Sequence, residues 1–216
     1  MTYESGKVAR APTNRSRQLI REDELLIVVT IALDPQRPHI VYAGTTGGAY
    51  RSTDATATWQ KVNRGLIPAE ILDASLSLGV NALVVDPHNT DTVYAGTTKG
   101  LFKSTNRADS WTRIGGSLAD EYISSVVIDP THPDTLYVGG RAGIHKSTDG
   151  GQNWIAMNTG LETLNIRTIA ISGLDSCVLY TGTNGSGLYR SHDGAVTWKQ
   201  LPLHSGPQLS TRPKLA

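Results

Sequence analysis

One module is written four times along this 216-residue chain, and the constancy of its interior constrains the fold more than any other feature. The copies read DPQRPHIVYAGTTGGAYRSTDATATW from Asp34, DPHNTDTVYAGTTKGLFKSTNRADSW from Asp86, DPTHPDTLYVGGRAGIHKSTDGGQNW from Asp129 and SGLDSCVLYTGTNGSGLYRSHDGAVTW from Ser172. Their tryptophans, Trp59, Trp111, Trp154 and Trp198, lie 52, 43 and 44 residues apart, and each follows its tyrosine (Tyr42, Tyr94, Tyr137, Tyr180) by 17, 17, 17 and 18 residues. Length varies in the GTNGSG turn of copy four and in an insertion between Leu66 and Val80, where loops belong. A rigid interior with variable connectors marks a folded unit that stacks on its neighbours.

Each unit reads as four strands. VTIAL, ALVVD, SVVID and TIAIS are apolar and β-branched, the pattern of an inner strand buried on both faces. HIVYAG, DTVYAG, DTLYVG and CVLYTG follow, then short strands ending at Ser52, Ser104, Ser147 and Ser191. The fourth strand starts at the Trp and carries Val62, Ile114, Met157 or Leu201 three positions later. Four short strands at this period predict an all-β chain, a β-propeller of four four-stranded blades over about 28–66, 80–118, 123–161 and 166–203, with the insertion at 67–79. Residues 1–27 read as a disordered basic arm and 204–216 as a flexible tail. A closed four-bladed ring, an open arc and half of a two-chain ring all remain open. An end blade exposes an apolar sheet face, which favours association with a second copy.

The segments STDATATW, STNRADSW, STDGGQNW and SHDGAVTW resemble the Asp-box, Ser-x-Asp-x-Gly-x-Thr-Trp, of BNR-like repeats in sialidase-like, sortilin-like and photosystem II assembly-factor-like propellers. The matching residues are Ser52, Asp54 and Trp59; Ser104, Asn106 and Trp111; Ser147, Asp149 and Trp154; and Ser191, Asp193 and Trp198. Copy three is the fullest match, with Gly151 in the glycine position where the others have Thr56, Ala108 and Ala195. The chemistry predicts a turn: the Asp or Asn oxygen accepts from backbone N–H groups two residues on, Ser does likewise, and the indole covers the turn. The resemblance implies a structural role on the blade periphery, away from the ligand face.

It also implies that the ligand face is built from the loops between strands two and three and from the connectors between blades. Thr46, Lys99, Arg141 and Asn184 are the distinctive groups of those loops. At the start of the inner strands, Val29, Asn81, Ser124 and Arg167 occupy equivalent positions with dissimilar side chains, as a site or neutral drift would produce. The candidate ligand-face residues are therefore Thr46, Asn81, Lys99, Ser124, Arg141, Arg167 and Asn184. Lys99, Arg141 and Arg167 make a cationic patch suited to a carboxylate or phosphate. The insertion, with apolar residues at 67, 71, 72, 76 and 78, has the spacing of a short amphipathic helix over this face.

Glycoside hydrolysis needs paired carboxylates, or a tyrosine nucleophile with an acid and an arginine cluster. Glu70, Asp73, Asp120, Glu121 and Glu162 sit in no recognisable motif, and the Arg-Ile-Pro signature of sialidases is absent, GLIP at 65–68 being the nearest string. The six histidines show no ligand spacing, so no metal is expected. No cofactor is expected either: the Tyr-x-Gly glycines read as turn glycines, not a phosphate cradle. A net charge of +1, from 20 Lys+Arg against 19 Asp+Glu, gives no global pull toward nucleic acid. No run has the length of a membrane span or the apolar core of a signal peptide, so the cytoplasm is the default compartment, although relatives of this repeat are often extracytoplasmic. The single Cys177 reads as a small core hydrophobe. The expected function is a non-catalytic binding or assembly scaffold for a protein or a glycan, with a homodimer completing the ring. The alternative is a glycan-acting hydrolase or a truncated remnant of one.

Overall fold

The computed structural model describes residues 26–66 and 78–202, and every sheet in it is a four-stranded antiparallel meander. Blade one comprises β1 (Val28–Leu33), β2 (Val41–Thr45), β3 (Gly48–Ser52) and β4 (Gln60–Lys61). Blade two comprises β5 (Val80–Val85), β6 (Val93–Thr97), β7 (Gly100–Ser104) and β8 (Thr112–Ile114). Blade three has β9 (Ile123–Ile128), β10 (Leu136–Gly140), β11 (Gly143–Ser147) and β12 (Ile155–Ala156), and blade four β13 (Ile166–Ile171), β14 (Leu179–Thr183), β15 (Leu188–Ser191) and β16 (Lys199–Leu201). One 3-10 turn, Gly116–Leu118, is the sole helical element among the described residues. The basic arm up to residue 25, residues 67–77 of the insertion with Glu70 and Asp73, and the tail from 203 lie outside the described residues.

The inner strands stand side by side, β1 against β5, β5 against β9 and β9 against β13. Because side chains alternate along a strand, each sheet presents one face to the blade before it and the other to the blade after it. In blade two, Leu83, Ala95 and Phe102 are in register and join Tyr42 and Ala49 of blade one in one apolar cluster. Their neighbours Ala82, Tyr94 and Leu101 face the other way, against Val126, Ile128, Leu136 and Val138 of blade three. Tyr137, Ile144 and Val127 then meet Ile169, Leu179 and Tyr189 of blade four. Three such clusters, one per junction, form the core.

An inner strand buried on both faces is found only where blades lie on both sides. In β5 and β9, four of six residues are buried and the other two partly so, whereas β1 is largely exposed and β13 exposes half of its residues. Val28, Ile31 and Leu33 are 55%, 65% and 58% exposed. The sequence pattern of β1 is that of an interior strand, but among the described residues no blade stands in front of it. Among the described residues the four blades form an open arc.

The Tyr-x-Gly glycines are not turn residues, contrary to expectation: Gly44, Gly96, Gly139 and Gly182 lie inside β2, β6, β10 and β14. Over the first three, the first residue of the next inner strand passes directly. A Cβ on Gly96 falls 2.6 Å from Ile123 Cγ2, one on Gly139 2.5 Å from Ile166 Cγ2, and one on Gly44 2.7 Å from Val80 Cγ1. At Gly182 the added Cβ meets only Thr168 of its own blade, at 3.1 Å. Cys177 also departs from expectation, lying exposed in the turn before β14 rather than in the core.

Candidate functional site

The blades have two chemically different ends. At one end stand the Asp-Pro turns and the Ser-x-(Asp/Asn) turns. Ser52, Ser104, Ser147 and Ser191 are buried, and each Oγ donates to the carboxylate or amide oxygen two residues on, at 2.7–2.9 Å. The same Oγ accepts the backbone N–H four residues on, from Thr56, Ala108, Gly151 and Ala195, at 2.9–3.0 Å. Asp54, Asn106, Asp149 and Asp193 accept from the N–H groups of Thr58, Ser110, Asn153 and Thr197. The Ser Oγ also accepts the N–H two residues on, as expected, at 3.3–3.4 Å; the bonds from the Asp and Asn oxygens reach four residues instead, because two consecutive left-handed residues tighten the chain between donor and acceptor. The second of that pair has φ of 75° at Thr56, 70° at Ala108, 92° at Gly151 and 74° at Ala195. Bonds from Asn153 hold the Asp149 carboxyl down at about 2, and bonds from Thr197 do the same for Asp193.

The indoles do more than cover the turns. Trp111 Nε1 donates to the Val62 carbonyl at 2.7 Å and Trp198 Nε1 to the Met157 carbonyl at 2.8 Å, each reaching back to the preceding blade. Trp154 instead donates to Gly151 of its own turn. In the forward direction, Arg51 donates to the Arg107 carbonyl at 2.6 Å, and Lys103 and Lys146 approach the Gly150 and Gly194 carbonyls. Tyr94 and Tyr137 point their hydroxyls at those same two carbonyls. On the Asp-Pro rim, Gln36 donates to the Pro87 carbonyl and His88 Nε2 lies 2.8 Å from that of Pro130. At the three internal junctions this end is occupied in joining blades.

The opposite end carries the β2–β3, β6–β7, β10–β11 and β14–β15 turns, which bond to the connectors between blades. Thr46, Arg141 and Asn184 donate their backbone N–H to the carbonyls of Ile27, Tyr122 and Asn165. Val29, Asn81, Ser124 and Arg167 are the extra residues of four β-bulges, which explains why equivalent positions tolerate dissimilar side chains. Two of these have structural partners. Asn81 Nδ2 donates to the Ile123 carbonyl at 2.8 Å, and Ser124 Oγ bonds the Ile166 carbonyl at 2.7 Å, each reaching the next inner strand. Thr46 Oγ1 accepts from the Ile27 N–H.

Lys99, Arg141, Arg167 and Asn184 are exposed and have no side-chain hydrogen bond or ion pair among the described residues. The Arg141 guanidinium stacks 4.6 Å from the centroid of the Tyr122 ring. Asp120, two residues before Tyr122, is taken by Arg113 at 3.0 Å, while Glu121 makes no ion pair among the described residues. Tyr122 was not singled out in the sequence; its position next to an inner strand and one bulge from Ser124 was the available signal. Burial holds the His145 imidazole below its ordinary value, and Glu121 partly offsets this. No group of three or more His, Cys, Asp or Glu residues is placed to hold a metal among the described residues. Nor is any helix there long and apolar enough to cross a membrane.

No protein-family profile matches the chain, and no curated protein does. Solved structures do resemble it. A GH74 enzyme from Niastella koreensis aligns at 27% identity and a TM-score of 0.59, over 80% of this chain and 29% of its own. The GH74 xyloglucanase from Xanthomonas campestris aligns at 22% identity and 0.63, over 84% of this chain and 31% of its own. YCF48 bound to D1 peptide aligns at 15% identity and 0.57, over 81% of this chain and 52% of its own. The chain thus has a β-propeller fold, and it spans under a third of the length of these GH74 chains and about half of YCF48.

Proposed function

We propose that this chain is a non-catalytic propeller scaffold that binds an anionic partner segment at the end carrying Lys99, Arg141 and Arg167. The reading rests on one observation: the Arg141 guanidinium stacks on the Tyr122 ring and makes no ion pair among the described residues, while Asp120 is paired with Arg113. A guanidinium stacked on a ring and lacking an ion-pair partner keeps its hydrogen-bond fork free for a carboxylate or phosphate. A peptide partner is supported by the likeness to YCF48 bound to D1 peptide. On this reading the Ser-x-(Asp/Asn) turns are Asp-boxes with a structural role, and a second copy completes the ring. The test is fluorescence anisotropy with labelled acidic peptides. Arg141→Ala is expected to weaken binding at least tenfold with the melting temperature unchanged, and equal affinity for wild type and variant would sink the proposal.

The likeness to GH74 enzymes supports a second reading, a remnant of a glycan-acting hydrolase. Among the described residues the carboxylates available to it are Asp120, Glu121 and Glu162. Release of reducing sugar from xyloglucan, lost in Glu121→Gln without loss of stability, would favour it over the scaffold.

A further inference from the structure

We infer that the two open ends of the arc are the two halves of one latch, so that the front of blade one seats on the back of blade four of a second copy, head to tail. This rests on the second-copy reading above and specifies its polarity and residues. Each internal junction is built from a fixed set of parts. The first residue of an inner strand (Val80, Ile123, Ile166) is buried on the mid-strand glycine of the blade before it (Gly44, Gly96, Gly139). A tyrosine and a cation from the earlier blade lie against the Ser-x-(Asp/Asn) turn of the later one at two junctions, and the third uses the cation Arg51. At two of the three junctions a tryptophan reaches back to the carbonyl three residues after the earlier blade's own tryptophan.

Each end of the arc holds one complementary half of this set. On the back of blade four, Gly182 has no neighbouring blade above it among the described residues, and Tyr180 is 36% exposed where Tyr42, Tyr94 and Tyr137 are buried. Arg190 occupies the position of Arg51, Lys103 and Lys146 and has no hydrogen bond or ion pair of its side chain among the described residues. On the front of blade one, Val28 is the counterpart of Val80, exposed with Ile31 and Leu33. Ala55 supplies the carbonyl equivalent to Arg107, Gly150 and Gly194, and Trp59 has no bond at Nε1 among the described residues. The match assigns Val28 to Gly182 of the second copy, Tyr180 and Arg190 to its Ala55 carbonyl, and Trp59 Nε1 to its Leu201 carbonyl. A front has no complement in another front, so the contact is heterologous; two arcs that meet at both ends close a ring.

The test is absolute mass by light scattering on the full chain, with Ile31→Glu as the head variant and Tyr180→Glu as the tail variant, each confirmed folded by circular dichroism. Arg190→Ala is the milder tail variant should Tyr180→Glu fail to fold. Wild type is expected at twice the 23.2 kDa chain mass. Each variant alone should fall to the monomer, and an equimolar mixture of the two should recover dimer, since one intact head then meets one intact tail. A higher whole multiple that falls on either substitution also supports the latch. A wild-type monomer would overturn both the latch and the second-copy reading. A dimer that survives the tail variants but not Ile31→Glu would keep the second copy and overturn the head-to-tail polarity.

Discussion

The junction between blades three and four and the bare back of blade four are built from the same parts yet meet opposite fates. Tyr137 is buried against blade four, while Tyr180, its counterpart one blade later, is 36% exposed. A Cβ on Gly139 meets Ile166 of the next blade, while one on Gly182 meets only Thr168 of its own blade among the described residues. Burial in this fold is therefore decided by the next blade, not by the residue. A hydrophobe in an inner strand contributes stability only when a neighbour arrives to remove it from water.

The largest test of that contrast is a matched pair of truncations. Ile166→Ala, at the buried junction, is expected to cost about 3 kcal/mol in urea denaturation. Val28→Ala, the same position at the open front, should cost under about 0.5 kcal/mol in the monomeric chain. Equal costs would mean that the front is covered.

A second pair adds atoms instead of removing them. Gly139→Ala places a methyl 2.5 Å from Ile166 Cγ2 and is expected to cost about 2 kcal/mol. Gly182→Ala should be close to neutral for monomer stability while weakening any contact made on that face.

The Asp-Pro turns give a contrast in pH. Burial raises the Asp129 carboxyl, but bonds from Ser176, Thr131 and His132 outweigh it and bring the group to about 2 from an ordinary 3.8. A carboxyl depressed in the folded state contributes stability above its unfolded value, and that contribution is lost as pH falls from about 4 to about 2. Blade four has Ser172 in the corresponding position, whose hydroxyl accepts the Leu174 and Asp175 N–H groups and does not titrate. Asp129→Ser should therefore make the acid limb of the stability profile shallower, at a cost near neutral pH of about 2 kcal/mol; an unchanged acid limb would contradict the assignment.

The smallest expected effect separates turns of one type. Thr56 is β-branched at φ 75°, a region where Gly151 sits without strain. Thr56→Gly is expected to raise stability by about 1 kcal/mol, read as an increase in melting temperature. Gly151→Ala should lower it, because its Cβ would lie 2.7 Å from Ile114 Cδ1.

These contrasts also show what could be read from the chain alone. The four blades were legible because the spacing from Tyr42 to Trp59 recurs almost unchanged, and a recurring spacing survives without any knowledge of neighbours. The mid-strand glycines were misread as turns because what excludes a side chain there, Val80 over Gly44 for instance, lies a whole blade away in sequence. Asn81 and Ser124 looked like ligand groups for a similar reason: a bulge turns each toward a carbonyl about 42 residues on. The turns carrying Lys99 and Arg141 are local and could be located from the repeat, but the Tyr122 ring under Arg141 required the three-dimensional structure.

The forward-reaching bonds between blades also set an order of events during synthesis. Tyr42 waits for Val85 and Val93, Tyr94 for Leu136, and Tyr137 for Leu179, so each blade leaving the ribosome has half of its interior unsealed until the following one is complete. Nascent chains arrested after blade two should therefore show a protease-sensitive trailing face that becomes protected one blade at a time. Folding in this chain is expected to run as a zipper from the N-terminal side, with blade four the last to gain a face.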